Sequence, residues 1–208
     1  MQNMKTKQTR KYKEIRLFKS DFLESLSHVH PITPLLIWAP VSLYFLYDGI
    51  TTFNLGFTQI ALTFIAAFFV WTLSEYLLHR YLFHFPAKSN FGKRFVFLFH
   101  GLHHDEPNDP TRLVMPPVPA FLFISLFYFL FKAIIPMTYL HVFMGFFLIG
   151  YLCYDYIHYA THHFPMKSKV GKFLKRHHIS HHNRFHDAKY GVSTPLWDYI
   201  LGTYSSKK

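Results

Sequence analysis

Ten of the sixteen histidines fall into four short clusters. His79 and His84 stand in HRYLFH, and His100, His103 and His104 in HGLHH. His158 and His162 stand in HYATH, and His178, His181 and His182 in HISHH. Neutral imidazole is the commonest protein metal ligand, and this concentration reads as a dinuclear metal site. His158 and His162 are four residues apart at the end of an expected helix, so both rings lie on one face. His79 and His84 are five apart, so the helix must end or loosen between them, with Phe85-Pro86 as the stop signal. In each triplet the first and second histidines are one turn apart and should serve one metal, leaving the adjacent third for its neighbour.

Two carboxylates stand close by. Asp155 precedes His158 by one turn, and Glu75 stands in the same relation to His79. Each is placed to accept an imidazole N–H and fix its tautomer. The competing reading is a solvated residue at a helix end. His163 and His177 read as neighbours of ligands, and His186 as lining the same region. His28, His30 and His141 lie apart and are assigned no metal role.

The sole cysteine, Cys153, lies in an apolar run. That excludes a disulfide framework and a Cys-based zinc site, so the donors must be nitrogen and oxygen. An all-imidazole set suits Fe, Zn, Cu or Ni. The HExxH pattern of many zinc hydrolases is absent. A membrane location favours an apolar substrate, whose unactivated C–H bonds require O2 and a redox metal. That argues for iron.

Each cluster lies at the edge of a long apolar segment: 34–50, 57–78, 118–135 and 138–158. Each is near the ~20 residues that cross the hydrocarbon as a helix. Pro40 predicts a tilt or kink in the first. Hydrophobic residues make up 50% of the chain, aromatics 20% and charged residues only 16%, which fits a membrane body. The net charge of +11 does not point to nucleic acid, because the basic residues follow the loops. Of the 22 Lys and Arg, 21 lie in 1–33, 79–117 and 159–208, and only Lys132 lies elsewhere. With four spans those regions share one side, which the positive-inside rule makes cytosolic.

The expected fold is therefore all-α: an integral membrane four-helix bundle with a cytosolic, histidine-rich helical cap and both termini in the cytosol. Residues 1–33 form a basic cytosolic segment and 34–204 the membrane catalytic domain. The N-terminal stretch has no apolar core or cleavage site of a secretory signal. Lys207-Lys208 reads as a solvated tail.

Four stretches carry a family resemblance: EYLLHRYLFH (75–84), HGLHHDEPNDPTRLVMPP (100–117), YDYIHYATH (154–162) and HHISHHNRFHDAKYGVSTPLWDYILGT (177–203). The chain resembles the fatty acid hydroxylase superfamily of membrane di-metal oxygenases. Pro107, Asp109, Arg112, Leu113, Val114 and Pro116-Pro117 point within it to the 2-hydroxylases of sphingolipid acyl chains. The resemblance implies two Fe ions held by His79, His84, His100, His103, His104, His158, His162, His178, His181 and His182, with zinc able to replace iron in preparations. It implies that O2 is reduced with two external electrons and that one oxygen is inserted next to the acyl carbonyl.

Eukaryotic 2-hydroxylases often carry an N-terminal haem-binding electron carrier. Here about thirty basic, polar residues precede the first span, so the expected donor is a separate ferredoxin or small cytochrome. A bacterial cytoplasmic membrane or the endoplasmic reticulum fits. The acyl chain should lie in an apolar groove lined by Phe, Leu and Tyr of the spans. Arg112 either binds the substrate's carboxylate or carbonyl or pairs with Asp109. The alternatives are a sterol or carotenoid oxygenase of the same superfamily, a zinc-dependent membrane hydrolase, and a metal transporter. Transport sites usually lie near the bilayer midplane, whereas these histidines lie at helix ends.

Overall fold

The computed structural model describes residues 15–205. The basic stretch 1–14 and the Lys207-Lys208 tail lie outside the described residues. Among the described residues every regular element is helical. A short helix α1 (Asp21–Leu26) is followed by α2 (Thr33–Phe53) and α3 (Phe57–Leu77). Then come α4 (Asn90–Val96), α5 (Leu102–Asp105), α6 (Pro117–Ile134), α7 (Met137–His163), α8 (Lys169–Asn183) and α9 (Leu196–Ile200).

Four stretches are long and apolar enough to cross a membrane: Thr33–Phe53, Phe57–Phe83, Pro117–Ile134 and Met137–His163. Their outer faces are apolar and uncovered. Leu36 is 67% exposed, Leu62 63% and Phe129 65%. A soluble surface rarely carries so much contiguous apolar area; in lipid it is the normal solvent-facing side. The helix α2 runs through Pro40 without a break. The expected kink does not interrupt it.

The centre of the bundle is α7. Of its most apolar window 61% is buried, against 11% for α6, so α7 is the core helix and α6 a peripheral one. Small residues let its neighbours approach. A Cβ on Gly145 would lie 2.6 Å from Leu46 of α2, and one on Gly150 2.6 Å from Trp71 of α3. Such contacts replace the hydrophobic drive that is missing between helices in lipid. Aromatic rings fill the gap towards α6, with Phe147 5.0 Å from Trp71 and 5.1 Å from Phe131 between centroids.

Two spans outrun the expected boundaries. The helix of α3 continues as a π-helical turn over Leu78–Phe83, and α7 extends to His163. A second π-helical turn, Phe97–Gly101, joins α4 to α5. Both π turns occur in histidine motifs, and such turns are rare and concentrate at functional sites. The ends of α3 and α7 meet α5, α8 and the 184–204 segment, forming a cap in which all four motifs come together.

Candidate metal centre

The π turn brings His79 and His84 together. The backbone N–H of His84 donates to His79 O at 3.1 Å, the i→i+5 bond that an α-helix does not make. The expected loosening of the helix is thus a widened turn rather than a stop. His158 and His162 are successive turns of α7, as their spacing predicts.

All ten named histidines assemble into two groups. His79, His84, His100, His104 and His181 form one, and His103, His158, His162, His178 and His182 the other. Within each group the ligand atoms lie within 4.8 Å of one another. The Nε2 atoms face inward: His79 to His100 at 2.9 Å, His84 to His181 at 3.0 Å, His103 to His158 at 2.9 Å and His162 to His178 at 2.9 Å. The rings of His104 and His182 stack at 4.1 Å across the boundary between the groups.

The triplets divide differently from the expectation. His100 and His104 join one group and His103 the other; His178 and His182 join one and His181 the other. So the first and third share a group, and the second crosses over. Helix geometry gives the reason. Four residues overshoot a full turn by about 40°, whereas three fall short by about 60°. The i,i+4 pair therefore faces one point more squarely.

The site is built for neutral imidazole. Burial, reinforced by neighbouring imidazoles, pushes His84 down to about 3 and His104 down to about 2. Burial takes His181 down to about 4 against the opposing pull of a carbonyl. His100, His103 and His178 are driven well below the usual histidine range for the same first reason. The tautomer is fixed at two positions. His79 Nδ1–H donates to Tyr190 O, and His181 Nδ1–H donates to Ala188 O at 2.7 Å. Their Nε2 atoms then carry bare lone pairs, each aimed at another ring nitrogen. A buried set of converging lone pairs is a cation-binding donor set, and five imidazoles per group suit iron or zinc.

The two carboxylates do not meet the histidines assigned to them. Glu75 is buried, but it accepts the backbone N–H of Val192 at 2.7 Å and of Ser193 at 2.9 Å, together with the Ser193 hydroxyl. Tyr190 O occupies the position beside His79 that Glu75 was expected to fill. No hydrogen bond joins Asp155 to His158; its Oδ2 is buried without a hydrogen-bond partner. Arg112 is held by partners within the protein. It pairs with Glu24 and donates to Ile15 O, with His28 Nε2 at 2.7 Å, while Asp109 lies 3.9 Å from its Nε. Its charge is paired with Glu24, and it also lines the cavity beside His100, His103 and His158.

His177 and His186 are neighbours of the groups. His177 Nε2 lies 3.0 Å from Asp198 Oδ2, and the His186 ring lies 5.7 Å from that of His104. His141 pairs with Asp48, away from the site. Sequence reasoning missed Asp198 and Glu24. Asp198 stands in an apolar stretch, PLWDYI, the same signal that singled out Glu75 and Asp155. The carbonyls of Ala188 and Tyr190 have no side-chain signature to find.

A cavity of about 430 Å³ opens beside the clusters. His100, His103 and His158 stand in its wall with Phe99, Leu113 and Val114. Leu17, Phe18, Leu23 and Leu26 of the 15–28 segment close another side. The walls therefore come mainly from the cap and this strap, not from the spans as expected. A smaller cavity of about 30 Å³ shares Phe83, Met115 and Tyr154 with it and lies among α3, α6 and α7.

Comparison with known proteins places this architecture. The family model described as fatty acid hydroxylase matches residues 64–203. The chain is 40% identical over 189 residues to a dihydroceramide fatty acyl 2-hydroxylase, FAH2, of Arabidopsis thaliana, covering 90% of this chain and 79% of that one. It is 36% identical to the fatty acid 2-hydroxylase of Homo sapiens over 93% of its own length, but spans only 58% of the human protein. A solved structure described as full-length Scs7p, with only the hydroxylase domain visible, superimposes with a TM-score of 0.84 at 35% identity. That match covers 89% of this chain and 70% of the other.

Proposed function

The chain belongs to the fatty acid hydroxylase family, and we propose that it hydroxylates a membrane lipid acyl chain at carbon 2. The overall balance is one acyl CH2, O2, two electrons and two protons giving CHOH and water. The observation that carries this reading is the shared wall of the large cavity, where ligand histidines of both groups adjoin apolar side chains. A pocket of this volume and lining suits a mostly apolar ligand.

Two Fe ions bound by the ten histidines would supply the reductive activation of O2, and zinc competes for the same imidazoles. The chain's own residues do the rest. His79 and His181 are held as the Nδ1–H tautomer, which keeps their Nε2 atoms available as donors. Phe99, Leu113 and Val114 exclude water from the reacting end of the chain. Tyr154 and Met115 border both cavities and lead the acyl tail from the cap towards the bundle.

The electrons come from a separate donor of ferredoxin or small-cytochrome type. The basic side of α8, with Lys172, Lys175, Arg176 and Arg184 around a shallow groove, supports an acidic donor docking behind the ligand histidines of that helix. The cap faces the cytosol, of a bacterium or of a cell with an endoplasmic reticulum.

The test is product analysis with two acyl lengths, by mass spectrometry of lipids from cells with and without the active protein. Addition of one oxygen at carbon 2 for both lengths supports the assignment. A hydroxyl at constant distance from the methyl end, or an oxidised sterol or carotenoid, overturns it.

A further inference from the structure

The two groups of histidines are not anchored alike. The first group receives two backbone carbonyls from one short loop: Tyr190 O takes the Nδ1–H of His79, and Ala188 O takes that of His181. The Nδ1 atoms of His178 and His182 in the second group, and of His104 in the first, are buried with no hydrogen-bond partner, so the loop's carbonyls reach His79 and His181 of the first group and no ring of the second. A histidine's other ring N–H fixes its orientation and its basicity towards a metal.

The loop is itself held by two buried carboxylates. Asp198 Oδ1 accepts the N–H of Tyr190 and Oδ2 that of Gly191, both at 2.9 Å. Asp198 also accepts from the Thr203 hydroxyl at 2.8 Å and faces His177. Glu75, from α3, takes the next two backbone N–H groups, of Val192 and Ser193. Four consecutive amides thus point at carboxylates, while the carbonyls of residues 188 and 190 point at ligands. Gly191 makes this path possible, because a Cβ there would lie 2.1 Å from Thr194 O.

We propose that Asp198 and Glu75 are positioning residues for one metal only, acting through the 188–193 loop on His79 and His181. The inference rests on reading the histidine groups as metal sites and goes beyond that reading, because it makes the two sites unequal. With the loop loosened, His79 and His181 lose their fixed orientation and the first site weakens. The second site has no ring N–H bound to this loop and keeps its metal.

The test is zinc titration and chelator-driven release on the purified full chain in detergent, stripped and reloaded with Zn2+. Two equivalents in the parent protein confirm the metal sites, independently of the loop; none would overturn those sites and this inference with them. In Asp198→Asn, one equivalent should bind about 10–100-fold more weakly, the usual effect of losing such a supporting partner. The other should be unchanged. Adding His182→Ala should then weaken both equivalents, whereas adding His104→Ala should leave the second site intact. Asp198→Glu, which keeps the charge, should recover part of the loss. If Asp198→Asn does not insert or fold, Glu75→Gln makes the same measurement from the other anchor. Two equivalents of parental affinity, or equal weakening of both, in whichever variant folds, overturns the proposal.

Discussion

His103 and His104 are adjacent in the chain and face different groups. His103 Nε2 lies 2.9 Å from His158 Nε2, and His104 Nε2 lies 3.0 Å from His100 Nε2. Their ring centroids are 6.1 Å apart. One short helix thus feeds both histidine groups, and His181 and His182 of α8 repeat the arrangement.

This division predicts how ligand losses combine. His103→Ala and His104→Ala should each lower bound metal towards half that of the parent under chelator competition, since each weakens one five-imidazole group by a donor and leaves the other group intact. Pairing His103→Ala with His158→Ala should add little, because both residues serve one group. Pairing His103→Ala with His104→Ala should remove most of the metal. Metal analysis after dialysis against a mild chelator decides; equal loss in the two double variants would mean a single shared site.

The ten candidates were legible because histidine is rare in apolar sequence and the motif spacing is helical. Their partition was not. It depends on whether i+3 or i+4 meets the neighbouring helix, a matter of tens of degrees fixed by packing. The four spans are legible from length and apolarity, but two helices run past the apolar stretches that end at 78 and 158, to Phe83 and His163, because hydropathy falls at the histidine-bearing turns while the helix continues. Glu75 stands out in its apolar stretch, but its spacing to His79 does not reveal what it binds. Its partners, Val192 and Ser193, are 117 and 118 residues away, and backbone amides leave no trace in sequence.

The ion pair of Arg112 with Glu24 predicts a structural phenotype. Glu24→Gln and Arg112→Gln should each free the 15–28 segment, seen as faster amide exchange and proteolysis there, and each should impair turnover to a similar degree. Their coupling should exceed that of an exposed pair, because the Arg112 side chain is 4% and the Glu24 side chain 14% exposed, and removing either partner leaves the other's charge poorly hydrated. A different pattern, with Arg112→Gln inactive and Glu24→Gln fully active, would return Arg112 to the substrate.

The concentration of basic residues in three regions predicts topology. In a Cys153→Ser background, Ser89→Cys and Ser205→Cys should resist an impermeant thiol reagent in intact cells and react after permeabilisation. Both positions are exposed on the protein surface, so failure to label reports the membrane rather than burial. Labelling of either from outside would invert the cap.

The groove on α8 predicts a salt-sensitive step. Lys172→Glu with Arg176→Glu should lower the rate of reduction by an acidic donor without changing metal content. The deficit should shrink as salt rises, since exposed charges are screened within about 10 Å at 0.1 M. A deficit that is independent of salt, or that accompanies metal loss, would place the effect in the site itself.

The two cavities predict control of chain length. Ile124 and Phe127 of α6 line the smaller one, across from Trp71 of α3 and Phe147 of α7. If the acyl tail passes Tyr154 and Met115 into this space, Ile124→Trp should shorten the chains that fit. Each methylene denied burial forfeits about 0.8 kcal/mol, or about fourfold in relative turnover per carbon. The peripheral helix α6 can absorb part of the added volume by moving outward, so long chains should be slowed rather than abolished. The hydroxyl should stay at carbon 2 throughout, because the head is fixed at the cap and only the tail meets the obstacle. Competition between a long and a short acyl substrate, read as the ratio of their 2-hydroxy products, measures this directly. An unchanged ratio, with both products reduced alike, would mean that the tail leaves the large cavity by another route.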